Sequence, residues 1–183
     1  RALRGDLAHS HIEHLAPILL QHLARAPDCD AALQALDRLF ANLHGGARLL
    51  SLLRQHQDLV ALMALIIGMA PRLADILGQH PHVMDALIDP AFFGALPDEA
   101  SLSASLDRTI GEAASYEDFL DRLRLFKQEQ LFLIGTRILS GTITARQAGE
   151  AFACLADTVI RRVQFAEEER FAQQHGRVAA QHV

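Results

Sequence analysis

Apolar residues recur along this chain at spacings of three and four residues, which is the period of an amphipathic α-helix. No stretch alternates β-branched and polar residues as a strand does, and Leu, Ala, Gln, Arg and Glu dominate the sequence. We therefore predict an all-α fold, a multi-helix bundle of roughly eight or nine helices. The predicted helices begin near residues 10, 28, 47, 58, 72, 82, 98, 115 and 144.

The two halves of the chain differ in how often the helical pattern is interrupted. Before residue 98, prolines and glycines divide it into short helices, whereas the last two helices, about 115–139 and 144–174, are long. Only a few residues separate these two, which predicts that they run antiparallel. We expect one helical domain over 1–183, with a short-helix part at about 10–95 and a long-helix part at about 98–176.

Signals for the ends of the first two helices are visible in the sequence. Ser10 and Glu13 have the spacing of a capping box, which predicts a helix start at Ser10. Pro17 lies inside the pattern that follows, and it either kinks this helix or marks its start near residue 16. Asp28 or Asp30 is expected to cap the second helix.

Similar signals are present for the later helices. Gly68 and Pro71 are expected to end the apolar fourth helix, and Ser115 precedes acidic residues that suit the first turn of a long helix. Gly176 has the character of a C-terminal glycine for the last helix. The pattern also predicts that Leu33 and Ile160 lie on buried faces.

Composition and charge exclude several classes of protein. Half of the 183 residues are hydrophobic, but only 5% are aromatic and Trp is absent, so Leu, Ala and Ile must form most of the core. The net charge is −5, with no cluster of Lys and Arg, which argues against a nucleic-acid partner. The longest apolar run, 59–70, is too short for a membrane span.

Cysteine content and the beginning of the chain favour a cytoplasmic location. Cys29 and Cys154 are far apart and form no CxxC motif, so we expect ordinary reduced thiols. The first residues lack the apolar stretch of a signal peptide. We therefore predict a soluble cytoplasmic protein without a membrane partner.

Histidines are the first candidates for chemistry. His80 and His82 flank Pro81, with Asp75 and Asp85 five residues before His80 and after it. Pro81 suits the first position of a short helix, with His80 at or next to the N-cap, and nothing in the spacing brings the two carboxylates together. We therefore interpret this segment as the junction between two helices rather than a metal or acid–base site.

The N-terminal histidines are a weaker candidate for a metal site. His11 and His14 are about one helical turn apart, whereas Glu13 points to another side of the helix. Zinc sites need three or four converging ligands. His9 and His22 would join them only if the N-terminus folded back and the helix stayed straight beyond Pro17. We interpret these residues as a polar face and predict no metal ligand.

Two further segments have simple structural explanations. Asp28, Cys29 and Asp30 show the D-x-D spacing of metal-dependent nucleotidyltransferases, but Pro27 precedes them and a helix follows, so N-capping explains them better. The run Glu167–Glu169 is interpreted as a solvated face. Residues 123–128 place an apolar stripe beside a basic one, which suits a helix that packs against a partner.

Standard catalytic motifs are missing from the sequence. It contains no P-loop, GxGxxG, GxSxG or HExxH motif. We therefore predict no catalytic, cofactor-binding or metal-binding residue.

Several segments together resemble one family. They are PRLADILGQHPHVMDALIDPAFF at 71–93, FKQEQLFLIGTRIL at 126–139 and AEEERFAQQHGRVA at 166–179. In this order they resemble the helical region of glutamine synthetase adenylyltransferase, the bifunctional adenylyltransferase and adenylyl-removing enzyme. The resemblance covers about residues 12–180.

This resemblance implies a bacterial enzyme of nitrogen metabolism with two nucleotidyltransferase domains. One attaches AMP to a tyrosine of glutamine synthetase and the other removes it by phosphorolysis, with Mg and ATP or phosphate, under the control of PII signal proteins. The family's Gly-Ser-Asp-x-Asp signature is absent from these residues, and the resemblance places it shortly after Val183. It therefore implies no catalytic residue here, and this chain corresponds to the non-catalytic helical region between the two catalytic domains.

Two alternatives stay open at this stage. The chain could be a stand-alone α-helical adaptor that binds a partner helix, or a metal- or ligand-binding helical protein that uses the N-terminal histidines. A pull-down against glutamine synthetase distinguishes the first alternative from the family resemblance, and metal analysis of the purified chain tests the second.

Overall fold

The computed structural model describes residues 6–42, 51, 53–87, 89, 92, 94–111 and 113–176, with the side chains of 6–12, 14, 42 and 57 left aside. Within these ranges every regular element is helical, which confirms the all-α prediction. The helices are α1 Asp6–Leu23, α2 Cys29–Asn42, α3 Gln57–Met69, α4 Pro71–Gln79, α5 Val83–Ala86, α6 Glu99–Ile110, α7 Tyr116–Leu139 and α8 Ala145–His175. Of the helix predicted at 47–56, residues 51 and 53–55 are helical, His56 is not, and the others lie outside the described residues.

Contacts between Cα atoms group the chain into two compact units. Unit 1 comprises 1–95 and 128–148, and unit 2 comprises 96–127 and 149–183. The sequence division near residues 95–98 marks only one of these boundaries, because residues 128–148 cluster with the first 95 residues. That the whole chain forms one domain stays a prediction.

Unit 1 is built around the apolar helix α3. Helix α1 packs against α3, and α2 packs against both α3 and α4. The core they share includes one face of α1, most of α3 and Phe132 from α7. Its largest fully buried side chains are Leu15, Leu19, Leu53, Met63, Ile66, Leu77, Met84, Leu87 and Phe132.

The break between α3 and α4 lies at Ala70, between the predicted breakers Gly68 and Pro71. Helix α3 continues through Gly68 to Met69, and Pro71 then occupies the first turn of α4. The N–H of Ala70 still donates to the carbonyl of Ile66, whereas Pro71 has no N–H to continue the ladder. The chain bends by 119° between the two helices. Among the described residues no single helix is long and apolar enough to cross a membrane, and this bent pair passes the same length and composition test only when taken together.

Unit 2 contains α6, the first half of α7 and most of α8. Helix α6 buries Leu102, Leu106 and Ile110, as the sequence predicts. Tyr116, the first residue of α7, contacts Glu167, whereas Phe119 lies under Arg162, so residue numbers rise on one helix as they fall on the other. This confirms that the two long helices run antiparallel.

Several predicted helix ends are confirmed. The carboxylate of Asp28 accepts a 2.9 Å hydrogen bond from the N–H of Ala31, and Asp98 caps α6 at 2.8 Å through the N–H of Ser101. The hydroxyl of Ser115 accepts from the N–H of Asp118 at 3.1 Å at the start of α7. Gly176 ends α8 with φ of +81°, a conformation that glycine adopts without strain.

Other details of the sequence prediction are wrong. Helix α1 begins at Asp6, so Ser10 lies inside it rather than at its start. Pro17 is internal, which decides between the two alternatives in favour of a helix that continues through this proline. The short helix predicted at 82–88 is limited to Val83–Ala86, with Pro81 in the turn before it. A proline and a Ser-x-x-Glu spacing favour a helix start but do not fix it, because α1 packs along α3 and this contact supports the helix on both sides of Pro17.

Two residues predicted to be buried are exposed. Leu33 is 49% exposed, because the buried stripe of α2 runs through Ala32, Leu36 and Leu39 and leaves the next position rotated by about 100°. Ile160 is 62% exposed for the same reason, since α8 buries Leu155 and Thr158. The apolar character of these two residues did not indicate which face they occupy.

Candidate functional site

The two histidines around Pro81 contact helix α7. His80 Nε2 lies 2.9 Å from Gln128 Oε1, and His82 Nε2 lies 2.7 Å from Glu129 Oε1. The imidazole rings meet edge to face with centroids 5.9 Å apart. The pair therefore fastens the turn between α4 and α5 to two adjacent residues of α7, which agrees with a structural junction.

The sequence offered no direct signal for this attachment. Gln128 and Glu129 lie 48 and 47 residues from their histidine partners, and neither residue was predicted to contact them. Among the described residues, no three His, Cys, Asp or Glu side chains are arranged to bind a metal ion. The prediction that this chain carries no catalytic or metal-binding residue stays a prediction.

The N-terminal histidines are only partly described. His9, His11 and His14 belong to α1, but their side chains lie outside the described part, so the structure does not test whether they converge. His22 is half-buried in the last turn of α1 and lines a groove described below.

The D-x-D segment is an N-terminal cap, as predicted. Asp28 accepts the hydrogen bond from Ala31, and the thiol of Cys29 lies 3.5 Å from the carbonyl oxygen of Ala26 and 3.6 Å from that of Ala24. Asp30 lies in the first turn of α2, where a carboxylate interacts favourably with the helix dipole. These contacts account for the local geometry of the segment.

The acidic run near the end of α8 is more than a solvated face. The Tyr116 hydroxyl donates a hydrogen bond to Glu167, and the Arg170 guanidinium lies 4.4 Å above the Tyr116 ring. The Glu167 carboxylate raises the pKa of Tyr116, because it accepts a hydrogen bond from the phenol and repels the phenolate. Glu168 accepts from Gln164 at 2.8 Å. This cluster fixes the start of α7 against α8.

Helix α6 is tied to α8 by two ion pairs on the surface of unit 2. Arg161 pairs with Glu99, and Arg162 Nε lies 3.2 Å from Asp107 Oδ1. At the other end of α6, Arg122 donates to the carbonyl of Ile110 at 3.0 Å and is paired with Asp118. The hydrogen bond from Arg122 is the largest cause of the lowered pKa of Asp118.

Residues 123–128 belong to α7, and the apolar ones among them pack inside this chain. Leu123 and Phe126 are buried, Lys127 is exposed, and Arg124 bonds Asp121 at 2.6 Å. The apolar stripe therefore serves the core of this chain. A partner for the basic stripe stays a prediction.

A buried arginine was not predicted from the sequence. Arg137 is only 6% exposed, its Nη2 donates to the carbonyl of Gly94 at 2.6 Å, and its guanidinium lies 5.9 Å from the Phe92 ring centroid. Its Nε and the hydroxyl of the neighbouring Thr136 have no hydrogen-bond partner among the described residues. A charged residue inside the apolar run FLIGTRIL was the signal that could have revealed it.

A groove on unit 1 was also missed. It lies between the end of α1 and the outer face of α3 and has a volume of about 340 Å³. Its described lining residues are His22, Arg25, Ala26, Ala61, Leu62, Ala64, Leu65, Gly68, Met69 and Ser140. The sequence signal was an α3 that is apolar on every side, because a helix of this kind needs cover on every side.

Comparison with known proteins gives a consistent family match. Residues 59–182 match the family model described as glutamate-ammonia ligase adenylyltransferase. No solved structure matches the chain.

Curated relatives are about half identical to this chain. A protein of Bradyrhizobium sp. (strain ORS 278) is 52% identical over 181 residues, and one of Rhodopseudomonas palustris (strain BisB5) is 50% identical over the same length. A protein of Xanthobacter autotrophicus (strain Py2) is 48% identical over 179 residues. Each is named bifunctional glutamine synthetase adenylyltransferase/adenylyl-removing enzyme. The matches cover 98–99% of this chain but only 18% of each relative.

Proposed function

Because this chain belongs to the glutamate-ammonia ligase adenylyltransferase family, we propose that it is a non-catalytic helical region of a bifunctional enzyme that adenylylates and deadenylylates glutamine synthetase. The observation that carries the proposal is the 52% identity over 99% of this chain to an enzyme of that name, of which it covers 18%. We place this enzyme in the bacterial cytoplasm, with Mg and ATP as cofactors of its catalytic domains.

The proposed role is to position the catalytic domains of the same polypeptide. Helix α7 has 24 residues and α8 has 31. These lengths correspond to about 36 and 46 Å at a rise of 1.5 Å per residue. Along its length α8 is fixed by the ion pairs to α6 and by the Tyr116 cluster, which suits a rigid strut. The short helices between residues 47 and 93 supply turns and surfaces for docking.

Regulation in this proposal acts through relative movement of the catalytic domains. A regulator that binds one arrangement better than another shifts the balance between AMP attachment and AMP removal. Glutamine synthetase and a PII signal protein are the proposed partners. A positioning role of this kind needs no catalytic side chain in these residues.

The test uses the longer protein that contains this sequence, with Ile160→Glu on the exposed face of α8. AMP transfer from labelled ATP to glutamine synthetase and phosphorolytic release of that AMP are measured separately. We expect both reactions to persist while their ratio changes by about fivefold or more, which is the usual range of coupling between sites. Leu33→Glu is the control, because this residue is similarly exposed but lies on α2, and we expect it to leave the ratio unchanged.

Two results would contradict the proposal. An unchanged ratio in Ile160→Glu would show that this face of α8 does not position the catalytic domains. Complete loss of one reaction in a folded Ile160→Glu protein would place the residue in the chemistry itself.

A further inference from the structure

Helix α3 leaves one apolar face unoccupied in unit 1. Its residues Val60, Met63, Ile66 and Ile67 are buried in the core, whereas Leu65 is 36% and Met69 is 53% exposed. The exposed pair is one helical turn apart, and Ala61, Leu62 and Gly68 lie on the same side of the groove. These positions form an apolar stripe of about two helical turns, or 12 Å.

The opposite wall of the groove is basic. Among the described lining residues the ionisable side chains are His22 and Arg25, and none of those residues is acidic. Arg25 lies in the turn after α1, where its N–H bonds the carbonyl of His22 and its side chain is exposed. An arginine is charged at every relevant pH. The groove therefore combines an apolar floor with a positive edge.

Close packing below the groove keeps its floor smooth. A Cβ on Gly68 would lie 2.9 Å from the Cβ of Ala26, so α3 and the turn after α1 touch here without any large side chain between them. Helix α3 forms one long side of the groove, and the last turn of α1 with the turn after it forms the other. Within α3 the backbone N–H groups donate to carbonyls of the same helix, so this side of the groove suits a helix rather than an added strand.

We propose that this groove binds an amphipathic helix with an apolar stripe and acidic residues along one edge. Its apolar residues at i, i+3, i+4 and i+7 contact Leu62, Leu65 and Met69, and its carboxylates lie beside Arg25. A concave surface with a single arginine fits a helix better than a membrane, which requires a protruding apolar face and several cations.

The test measures binding of two helical peptides to the complete 183-residue chain by fluorescence polarisation. Both peptides have Leu at i, i+3, i+4 and i+7 on an Ala background, and the polar edge carries Glu in one and Lys in the other. We expect saturable binding of the Glu peptide and binding of the Lys peptide about tenfold weaker or more. Added salt should reduce this difference, because it screens an exposed charge pair.

Variants locate the binding site. Met69→Glu should weaken binding of the Glu peptide about tenfold or more, because it places a carboxylate on the apolar floor. Arg25→Glu should reverse the preference in favour of the Lys peptide. Leu33→Glu, the matched control on α2, should change nothing. Circular dichroism and thermal unfolding of each variant confirm that the fold is retained, and Met69→Ala provides a second, milder test of the floor.

Four outcomes would overturn the proposal. They are no binding of either peptide, equal binding of both, an equal loss in Leu33→Glu, and retention of the Glu preference in Arg25→Glu. Binding to vesicles of anionic phospholipid that is lost in Met69→Glu, with no binding of the Glu peptide, would assign the groove to a membrane surface instead. The result does not depend on catalysis, so its failure leaves the proposed function intact.

Discussion

Two glycine-to-alanine substitutions in unit 1 test its packing, because the same methyl group meets different surroundings at each position. A Cβ at Gly68 would lie 2.9 Å from the Cβ of Ala26, whereas a Cβ at Gly78 would meet nothing within 4 Å. The Ala26 Cβ is fixed to its backbone and cannot rotate away. Helix α3 or the turn after α1 must therefore move in Gly68→Ala.

The expected energies follow from two opposing effects. Alanine in place of glycine stabilises a helix by about 0.5–1 kcal/mol, and overpacking of a close contact costs about 1–3 kcal/mol. We expect Gly78→Ala to raise the free energy of unfolding by about 0.5–1 kcal/mol. Gly68→Ala should lower it by up to about 2 kcal/mol, since the contact outweighs the gain in helix propensity.

Urea unfolding followed by far-UV circular dichroism measures both changes. The two compact units can unfold in separate transitions, so the transition that contains unit 1 is the one to compare. The double variant Ala26→Gly with Gly68→Ala removes the contact. In that background the Gly68→Ala change should become stabilising, and the double-mutant cycle gives the coupling energy directly.

Stabilisation by Gly68→Ala as large as that by Gly78→Ala would refute the close contact at Ala26. This contact would also be refuted if the effect of Gly68→Ala were the same with Ala or Gly at position 26. Either result would mean that α3 and the turn after α1 do not touch in this way.

Three further predictions concern the core and the pH dependence of stability. Phe132→Ala removes a fully buried ring and should lower the free energy of unfolding by about 3–5 kcal/mol, measured by urea unfolding; an unchanged midpoint would contradict the assigned core. Arg137→Met leaves the carbonyl of Gly94 without its donor and should lower the free energy of unfolding by about 1–3 kcal/mol in the same assay. A more stable variant would show that burying the charge costs more than this hydrogen bond contributes. Hydrogen bonding to Ser101 lowers the pKa of Asp98, so the cap contributes stability that is present above the ordinary pKa and is lost as the pH falls through the lowered one. The difference in unfolding free energy between wild type and Asp98→Ala should therefore be complete at neutral pH and shrink below a pH of about 4, and a difference that grows on acidification would contradict the assignment.

Local sequence signals predicted the helices well where one short-range effect decides the outcome. Asp28, Asp98 and Ser115 cap helices because a side chain reaches an N–H three residues away, and that distance is fixed by the helix itself. Positions that depend on contacts between distant residues were predicted less well. For Pro17 the sequence left two alternatives open, a position inside the helix or a helix start near residue 16, and the proline lies inside α1.

The candidate site shows the same division. The interpretation of His80 and His82 as a junction rested on Pro81 next to them, and it agrees with the contacts to Gln128 and Glu129. Those two partners could not be predicted, because nothing in one sequence links positions nearly 50 residues apart. The position of the groove beside Met69 could not be predicted either. An apolar helix indicates that every face needs cover, but it does not indicate which face will remain uncovered.

The most direct test of the central claim is an assay of AMP transfer to glutamine synthetase with Mg and labelled ATP. It compares the 183-residue chain with the longer protein that contains it. Our account predicts AMP incorporation by the longer protein and none by the 183-residue chain, even at high concentration and with glutamine synthetase bound. AMP transfer by the 183-residue chain alone, or no transfer by the longer protein, would contradict it.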